Sequence, residues 1–356
     1  MNRPLRVIDT GLLQGRMNIA IDAAMLELRQ ADIIGDSLRF IHFEATALVG
    51  RHQALHQEIK VDHCKANGVG IGRRVTGGGA IYLDPKQLGW ALILKRNSLA
   101  VQGLGEITKA ICEAAAFGLS KLGIDARFRP RNDIEVAGKK ISGTGGFFDG
   151  DVLMYQGTVL IDLNPSDMVA ALNMPIAKAS REGETDQAAR VTTLKQLLGQ
   201  APTHVEVIAA LTQGFAEKLN FLPNHEPPSP EELALAQKLY AEEIGTDEFV
   251  YEIDEPWREA GIGIGTCKSA GGAVTAYLRK DGPKNSTIRE VIFVGDFFVA
   301  PPRLVYDLEA HLRGTKIDNI AQAINEFFAI SGNQGLLSIT ADNFIEALTN
   351  AAENQN

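Results

Sequence analysis

The run Leu88–Leu94 (LGWALIL) constrains the fold most. Seven residues without a charge and without strict alternation describe a buried strand in the interior of a sheet. Such a sheet needs helices to cover it. Asn18–Leu28 (NIAIDAAMLEL) carries Ile19, Ala23 and Leu26 at helical spacing, and Glu106–Leu122 has the same period and closes at Gly123. Val191–Leu198 and His204–Leu219 also read as helices. Leu38–Phe43, Ala47–Gly50, Ala80–Leu83, Ala126–Arg131, Ile134–Val136 and Val152–Ile161 read as strands between turn signals, and Val69–Arg74 leads into a glycine loop. Strands and helices alternate without a regular βαβ repeat. The expected class is therefore α/β of the α+β kind, a mixed sheet flanked by helices rather than a doubly wound one.

The C-terminal third changes character. Pro223–Pro230 holds four prolines and reads as a linker or turn. From His225 to Glu259 there are eleven Asp/Glu against two Lys/Arg, a solvated acidic face. Beyond Pro256, Cys267–Leu278 and Ile288–Val294 read as two strands joined by Asp281–Asn285, followed by helices over Leu304–Leu312, Ile317–Ile330 and Asp342–Ala352. This ββααα unit is large enough to be a domain, so the expected division is 1–256 and 257–356.

Composition excludes several functions. A net charge of −9 argues against general affinity for nucleic acid, although a single nucleotide needs only local positive charge. No stretch is apolar enough to span a bilayer. Three cysteines, far apart and with no CxxC pair, fit a reducing cytoplasm.

Two stretches carry candidate chemistry. In Arg73-Arg74-Val75-Thr76-Gly77-Gly78-Gly79-Ala80-Ile81-Tyr82, three glycines remove the side chains that keep a ligand off the backbone, and two arginines add forked cationic donors. The segment reads either as an anion-handling loop or as a tight turn with exposed arginines. In Arg129–Gly146, Ala137-Gly138 reads as a hairpin turn that sets Asn132-Asp133 near Lys139-Lys140. Asp133 there suits a hydrated magnesium ion, and a lysine suits charge developing on an acyl phosphate; an exposed hairpin with charged flanks is the plainer account. Other motifs carry less. Gly261-Ile262-Gly263-Ile264-Gly265 misplaces the third glycine of a dinucleotide fingerprint and reads as a loop. No glycine run ends as a P-loop, no GxSxG occurs, and His52, His56, His63 and Cys64 have no structural-zinc spacing.

Taken together, the stretches resemble the signatures of lipoate-protein ligases. Arg73–Asp84 is similar to the family's RRxS/TGGGAVxHD, Arg131-Asn132-Asp133 to its RND, and Lys139–Thr144 to its KxSGS/T, in the same order. Asn18–Asp22, Gly50–Gln53, Gly157–Leu160, Arg190–Leu194 and Val294–Phe298 extend the resemblance over nearly the whole chain. Leu83 and Gln156 stand where the family commonly has histidine.

The resemblance implies the biotin/lipoate ligase (class II synthetase-like) fold with a small C-terminal accessory domain. It implies a two-step reaction in which ATP and lipoate, or octanoate, give lipoyl-AMP, and the lipoyl group then passes to a lysine of an acceptor lipoyl domain. That acceptor would be a glycine cleavage H protein, a 2-oxoacid dehydrogenase E2 or a lipoate-binding protein. By the same resemblance Lys140 is the catalytic lysine, touching both the lipoate carboxyl and the adenylate phosphate. Arg73, Arg74, Thr76, Gly77, Gly78, Gly79, Ala80, Ile81 and Tyr82 would bind ATP and lipoyl-AMP, with Asn132, Asp133, Ser142, Gly143, Thr144, Gly157 and Thr158; Asp133 would also meet Mg2+. The polar segment Ile176–Ala189 would be a lid over the adenylate. Two rivals stand beside this reading: an ATP-independent octanoyl- or lipoyl-transferase, whose cysteine would lie near Arg129–Asp133 where none occurs, and a non-catalytic lipoate-binding module.

Overall fold

The computed structural model describes residues 3–101, 103–173, 190–254, 257, 261–269, 271–299, 301–331, 336 and 338–354. It divides into two compact units. One comprises Met1–Leu48, Lys60–Gly72 and Ile81–Phe249, the other Val49–Ile59, Arg73–Ala80 and Val250–Asn356. The main changeover in the chain falls at Val250. The second unit also takes in two short segments from far upstream, and one of them is the glycine stretch.

The first unit is built on an eight-stranded sheet. Its strands are β1 (Arg3–Leu13), β2 (Ser37–Phe43), β6 (Leu88–Lys95), β7 (Arg127–Arg129), β8 (Asp133–Val136), β9 (Lys139–Asp149), β10 (Val152–Val159) and β11 (Phe221–His225), in spatial order β11-β1-β2-β6-β10-β9-β8-β7. β1 runs parallel to both β11 and β2, and the other neighbours are antiparallel. The sheet is therefore mixed, as expected. β6 lies inside it, and all but its last residue are buried. A second sheet joins β3 (Thr46–Val49) to β4 (Gly70–Arg73) and β5 (Ile81–Leu83).

Both faces of the large sheet are covered. Leu38, Phe40, Trp90, Leu92, Leu153 and Tyr155 form one core with helices α2 (Leu104–Ser120) and α3 (His204–Leu219). Helix α1 (Gly15–Gln30) packs on β6 and β10 from the opposite face and against α4 (Pro230–Leu239). This is the arrangement that an uninterrupted apolar strand demands.

Several expectations are corrected. β1 was not read as a strand, because Pro4 and Gly11 interrupt its alternation. Pro223 lies not in a linker but in β11, at the sheet edge, where a missing N–H costs no ladder bond. The helix expected from Val191 starts at Leu194 behind a Thr193 capping box, while Val191 bridges to Lys140. The segment expected to form a lid, 176–189, lies outside the described residues.

In the second unit the expected two strands are three: β12 (Gly263–Ser269), β13 (Gly272–Asp281) and β14 (Thr287–Gly295), in that order. The run read as one strand from Cys267 is a hairpin. Gly263 and Gly265, expected in a loop, belong to β12, where a Cβ would come within 2.0 Å of Ala351 O and 2.2 Å of Ala351 N respectively. Only glycine lets helix α7 (Ala341–Glu353) lie that close to the strand. Helices α5 (Leu304–His311) and α6 (Ile320–Ser331) form where expected, and Phe293, Phe297, Phe328 and Phe344 fill the core.

Candidate active site

The glycine stretch leaves β4 at Arg73 and enters β5 at Ile81. Arg73 is 1% exposed and its guanidinium is aimed at backbone. Nη1 donates to the carbonyls of Gly50 (3.1 Å), Arg51 (3.1 Å) and Gln53 (2.7 Å); Nη2 donates to Val250 (2.9 Å) and Ile253 (3.0 Å), and Nε to Val250 (3.1 Å). Burial pulls its pKa down to about 10, so it stays charged at neutral pH. Arg73 thus ties together the chain segments around the loop. Arg74 Nη2 donates to Gly77 O at 3.0 Å and Gly79 O at 2.8 Å, which curls the loop around its own guanidinium.

Turning those carbonyls inward fixes the loop's shape with neutral acceptors. Arg51 N donates to Thr76 O at 2.9 Å, and Gly78 N to Phe297 O at 3.2 Å. Gly77 has no alternative: a Cβ there would lie 2.1 Å from Phe297 O. Gly78 has φ +93°, a conformation closed to most side chains. Thr76 is buried, Gly79 is exposed, and Ala80 and Ile81 are half-buried; Tyr82 is buried in β5, paired with Ala47.

The lysine hairpin belongs to the first unit. Ala137 (φ 49°) and Gly138 (φ 81°) both adopt left-handed backbone, the signature of a two-residue hairpin turn, so the expected turn forms. Lys140 Nζ lies 2.7 Å from Asp133 Oδ1, and Arg129 Nη2 lies 2.6 Å from Asp133 Oδ2. Burial pushes the Asp133 carboxyl up, but the Lys140 and Arg129 charges outweigh it and hold the group below the usual carboxylate range. The Lys140 side chain is 35% exposed, so its ammonium has an ionic partner and an open side. Gly143 gives it room: a Cβ there would lie 2.6 Å from Nζ. Asn132 and Thr144 clamp the hairpin's base. Thr144 N (2.9 Å) and Oγ1 (2.8 Å) both donate to Asn132 O, and Asn132 Nδ2 donates to Thr144 O.

Other expected site residues fall differently. Ser142 is fully buried, and its hydroxyl has no hydrogen-bond partner among the described residues. Gly157 is explained by packing: a Cβ there would lie 2.3 Å from the Trp90 ring, which fills the core behind β10. Thr158 is half-buried. Gln156, on the α1 side of the sheet, donates from Nε2 to Asp22 Oδ2 at 2.6 Å, and Asp22 pairs with the buried Arg39 at 2.5 Å.

Sequence reasoning assigned no role to Arg129, the second cation on Asp133. Its signal was present: the Pro130-Arg131 turn places Arg129 opposite Asp133 in the β7–β8 register. As a magnesium ligand Asp133 is poorly placed, since both of its oxygens face cations. No group of three His, Cys, Asp or Glu side chains forms a metal site among the described residues. This donor set does not fit a resident metal ion.

Comparison with known proteins places the fold and the motifs in one family. Residues 14–216 match the lipoyl protein ligase A/B catalytic domain. Lipoate-protein ligase A subunit 1 of Thermoplasma acidophilum is 28% identical over 253 residues, 66% of this chain and 91% of that protein. Octanoyltransferase LipM of Kyrpidia tusciae is 26% identical over 270 residues, 69% and 98% of the two chains. A crystal structure of lipoate-protein ligase A bound with ATP superposes with a TM-score of 0.61 at 24% identity, covering 71% of this chain and all of that one. LipL1 of P. falciparum in complex with lipoate does so with a TM-score of 0.71 at 16% identity, over 98% of both chains, and these two likenesses show a shared fold. The chain belongs to the lipoyl protein ligase A/B family.

Proposed function

We propose that the protein is an ATP-dependent lipoate-protein ligase. A carboxylate oxygen of lipoate or octanoate attacks the α-phosphorus of ATP, and pyrophosphate leaves. A neutral lysine amine of an acceptor lipoyl domain then attacks the acyl carbon; the amide forms, a proton is lost and AMP leaves. Magnesium enters on the ATP phosphates, as part of the substrate.

The observation that carries this reading is the kind of reactive group on offer. Lys140 is a part-exposed ammonium whose ionic partner, Asp133, keeps Arg129 when Lys140 turns to a ligand. It suits a carboxylate and a phosphate that repel each other and must be held together. All three cysteines are buried. Burial pushes the Cys112 thiol up, which disfavours the thiolate an acyl carrier needs. Arg74 would hold the glycine loop in shape, and Gly77–Tyr82 would offer backbone to nucleotide phosphate and adenylate. Asn132 and Thr144 would hold the hairpin's base, and Lys140, Ser142, Gly143, Gly157 and Thr158 the strands beside it.

A transferase is the second reading, because LipM is matched along almost its whole length. One assay separates the possibilities: the purified protein is incubated with ATP, magnesium, lipoate and an apo lipoyl domain, and the acceptor is weighed. ATP-dependent mass gain on the acceptor lysine supports the ligase. Transfer from an octanoylated carrier protein without ATP would replace it with the transferase, and binding of lipoate without turnover would leave a binding module.

A further inference from the structure

Behind the lysine hairpin lies a chain of hydrogen bonds that the proposed chemistry does not use directly. The Thr144 hydroxyl donates to Asn132 O at 2.8 Å and lies 2.7 Å from the Tyr155 hydroxyl. Cys112 Sγ lies 3.5 Å from Tyr155 Oη and 3.3 Å from Thr144 Oγ1. Cys112 is on α2, Tyr155 on β10 and Thr144 on β9, so three elements meet at one buried point; Tyr155 is 1% exposed and Cys112 0%.

The bond from the Thr144 hydroxyl to Asn132 O orders the Thr144–Tyr155 pair. Thr144 has a single hydrogen and gives it to Asn132 O, so its oxygen accepts from Tyr155. The Cys112 thiol, within reach of both oxygens, can donate its S–H to either. Burial pushes both the phenol and the thiol up, so both stay protonated across the working pH range. Each bond polarises the next, which strengthens the last one, on Asn132 O. That last bond has work to do. Arg131, immediately before Asn132, is held at φ 97°, a conformation that is costly for a non-glycine residue and persists only where the surroundings enforce it. The turn it makes delivers Asp133, and Asp133 sets where the Lys140 ammonium rests.

We infer that Tyr155, backed by Cys112, is a positioning residue: through Thr144 it locks the Arg131–Asp133 turn and thereby places Lys140. This rests on the reading of Lys140 as the group that joins carboxylate and phosphate. Neither Tyr155 nor Cys112 is exposed enough to meet a ligand, so their effect must appear in turnover rather than in affinity.

The test uses the full-length protein with ATP, magnesium, lipoate and an apo lipoyl domain. Tyr155→Phe removes one oxygen and keeps the ring. It is expected to lower kcat about 10- to 100-fold with KM for lipoate within twofold of wild type. Cys112→Ala is expected to lower kcat a few-fold, because the Tyr155–Thr144 bond remains, and Cys112→Ser, which keeps a donor, restores it to within twofold. A Tyr155→Phe enzyme within twofold of wild-type kcat overturns the inference, as does a loss that Cys112→Ser fails to restore relative to Cys112→Ala. If the wild type itself turns over neither lipoate with ATP nor an octanoylated carrier, the functional reading fails separately. Amide hydrogen exchange then decides the placement: Tyr155→Phe must speed exchange across 131–134 while β6 and α3 stay protected, and unchanged exchange there overturns the inference.

Discussion

The glycine loop and the lysine hairpin both carry two cations, yet they use them in opposite ways. In the loop, Arg73 and Arg74 point at backbone carbonyls, neutral acceptors that cannot titrate and that a ligand does not displace. In the hairpin, Lys140 and Arg129 point at one carboxylate, an anion whose place another anion can take. The first arrangement builds a shape, and the second holds a charge in readiness. An arginine in a motif is therefore no proof of a ligand contact: Arg73 has the sequence signature of an anion binder and the surroundings of a structural tie.

That contrast can be broken in four places. Lys140→Ala should abolish acylation, a loss of at least about 10³-fold in kcat with the melting temperature unchanged; near-wild-type mass gain on the acceptor would remove the hairpin from the chemistry. Arg73→Lys should act on stability instead, because an ammonium cannot reach five separate carbonyls. Buried acceptors left unpaired would lower stability by about 3 kcal/mol, read as a shift in urea midpoint. Gly77→Ala should cost about 1–3 kcal/mol, since its methyl meets a backbone carbonyl that cannot step aside; a wild-type urea midpoint would show that the loop is looser than its contacts imply. The smallest effect is on acid sensitivity. The folded Asp133 carboxyl lies below the ordinary aspartate value of 3.8, so its contribution is complete above that value and is lost as pH falls through the folded pKa. Because the pair is partly exposed, the loss is under about 1 kcal/mol. Asp133→Asn should remove that part of the stability difference between pH 6 and pH 3, whereas Arg73→Lys should leave the difference intact.

What the sequence disclosed was local. The buried run at Leu88, the helix that starts near Asn18 and the Ala137-Gly138 turn each depend on residues within one turn or strand, and each appears where it was read. The Lys140–Asp133 pair was legible only as a neighbourhood: the two-residue turn sets Lys140 opposite Glu135, and the ammonium reaches Asp133 across a register shift between Ile134 and Glu135. Arg73 was not, since its partners Val250 and Ile253 lie nearly half the chain away. Gly157 misled in a different way. A glycine in a binding motif suggests room for a ligand, but here the indole of Trp90 takes the space, and only the register of β6 on β10 reveals it.

The hydrogen bond from Gly78 N to Phe297 O has a consequence for how tightly the loop can hold anything. An anion that needs that N–H must first win it from a carbonyl of the same chain, so the measured dissociation constant is the intrinsic one divided by the fraction of molecules in which the bond is already open. Affinity for an anion at this loop is thus set partly by a residue more than two hundred positions away in sequence that need never touch the ligand.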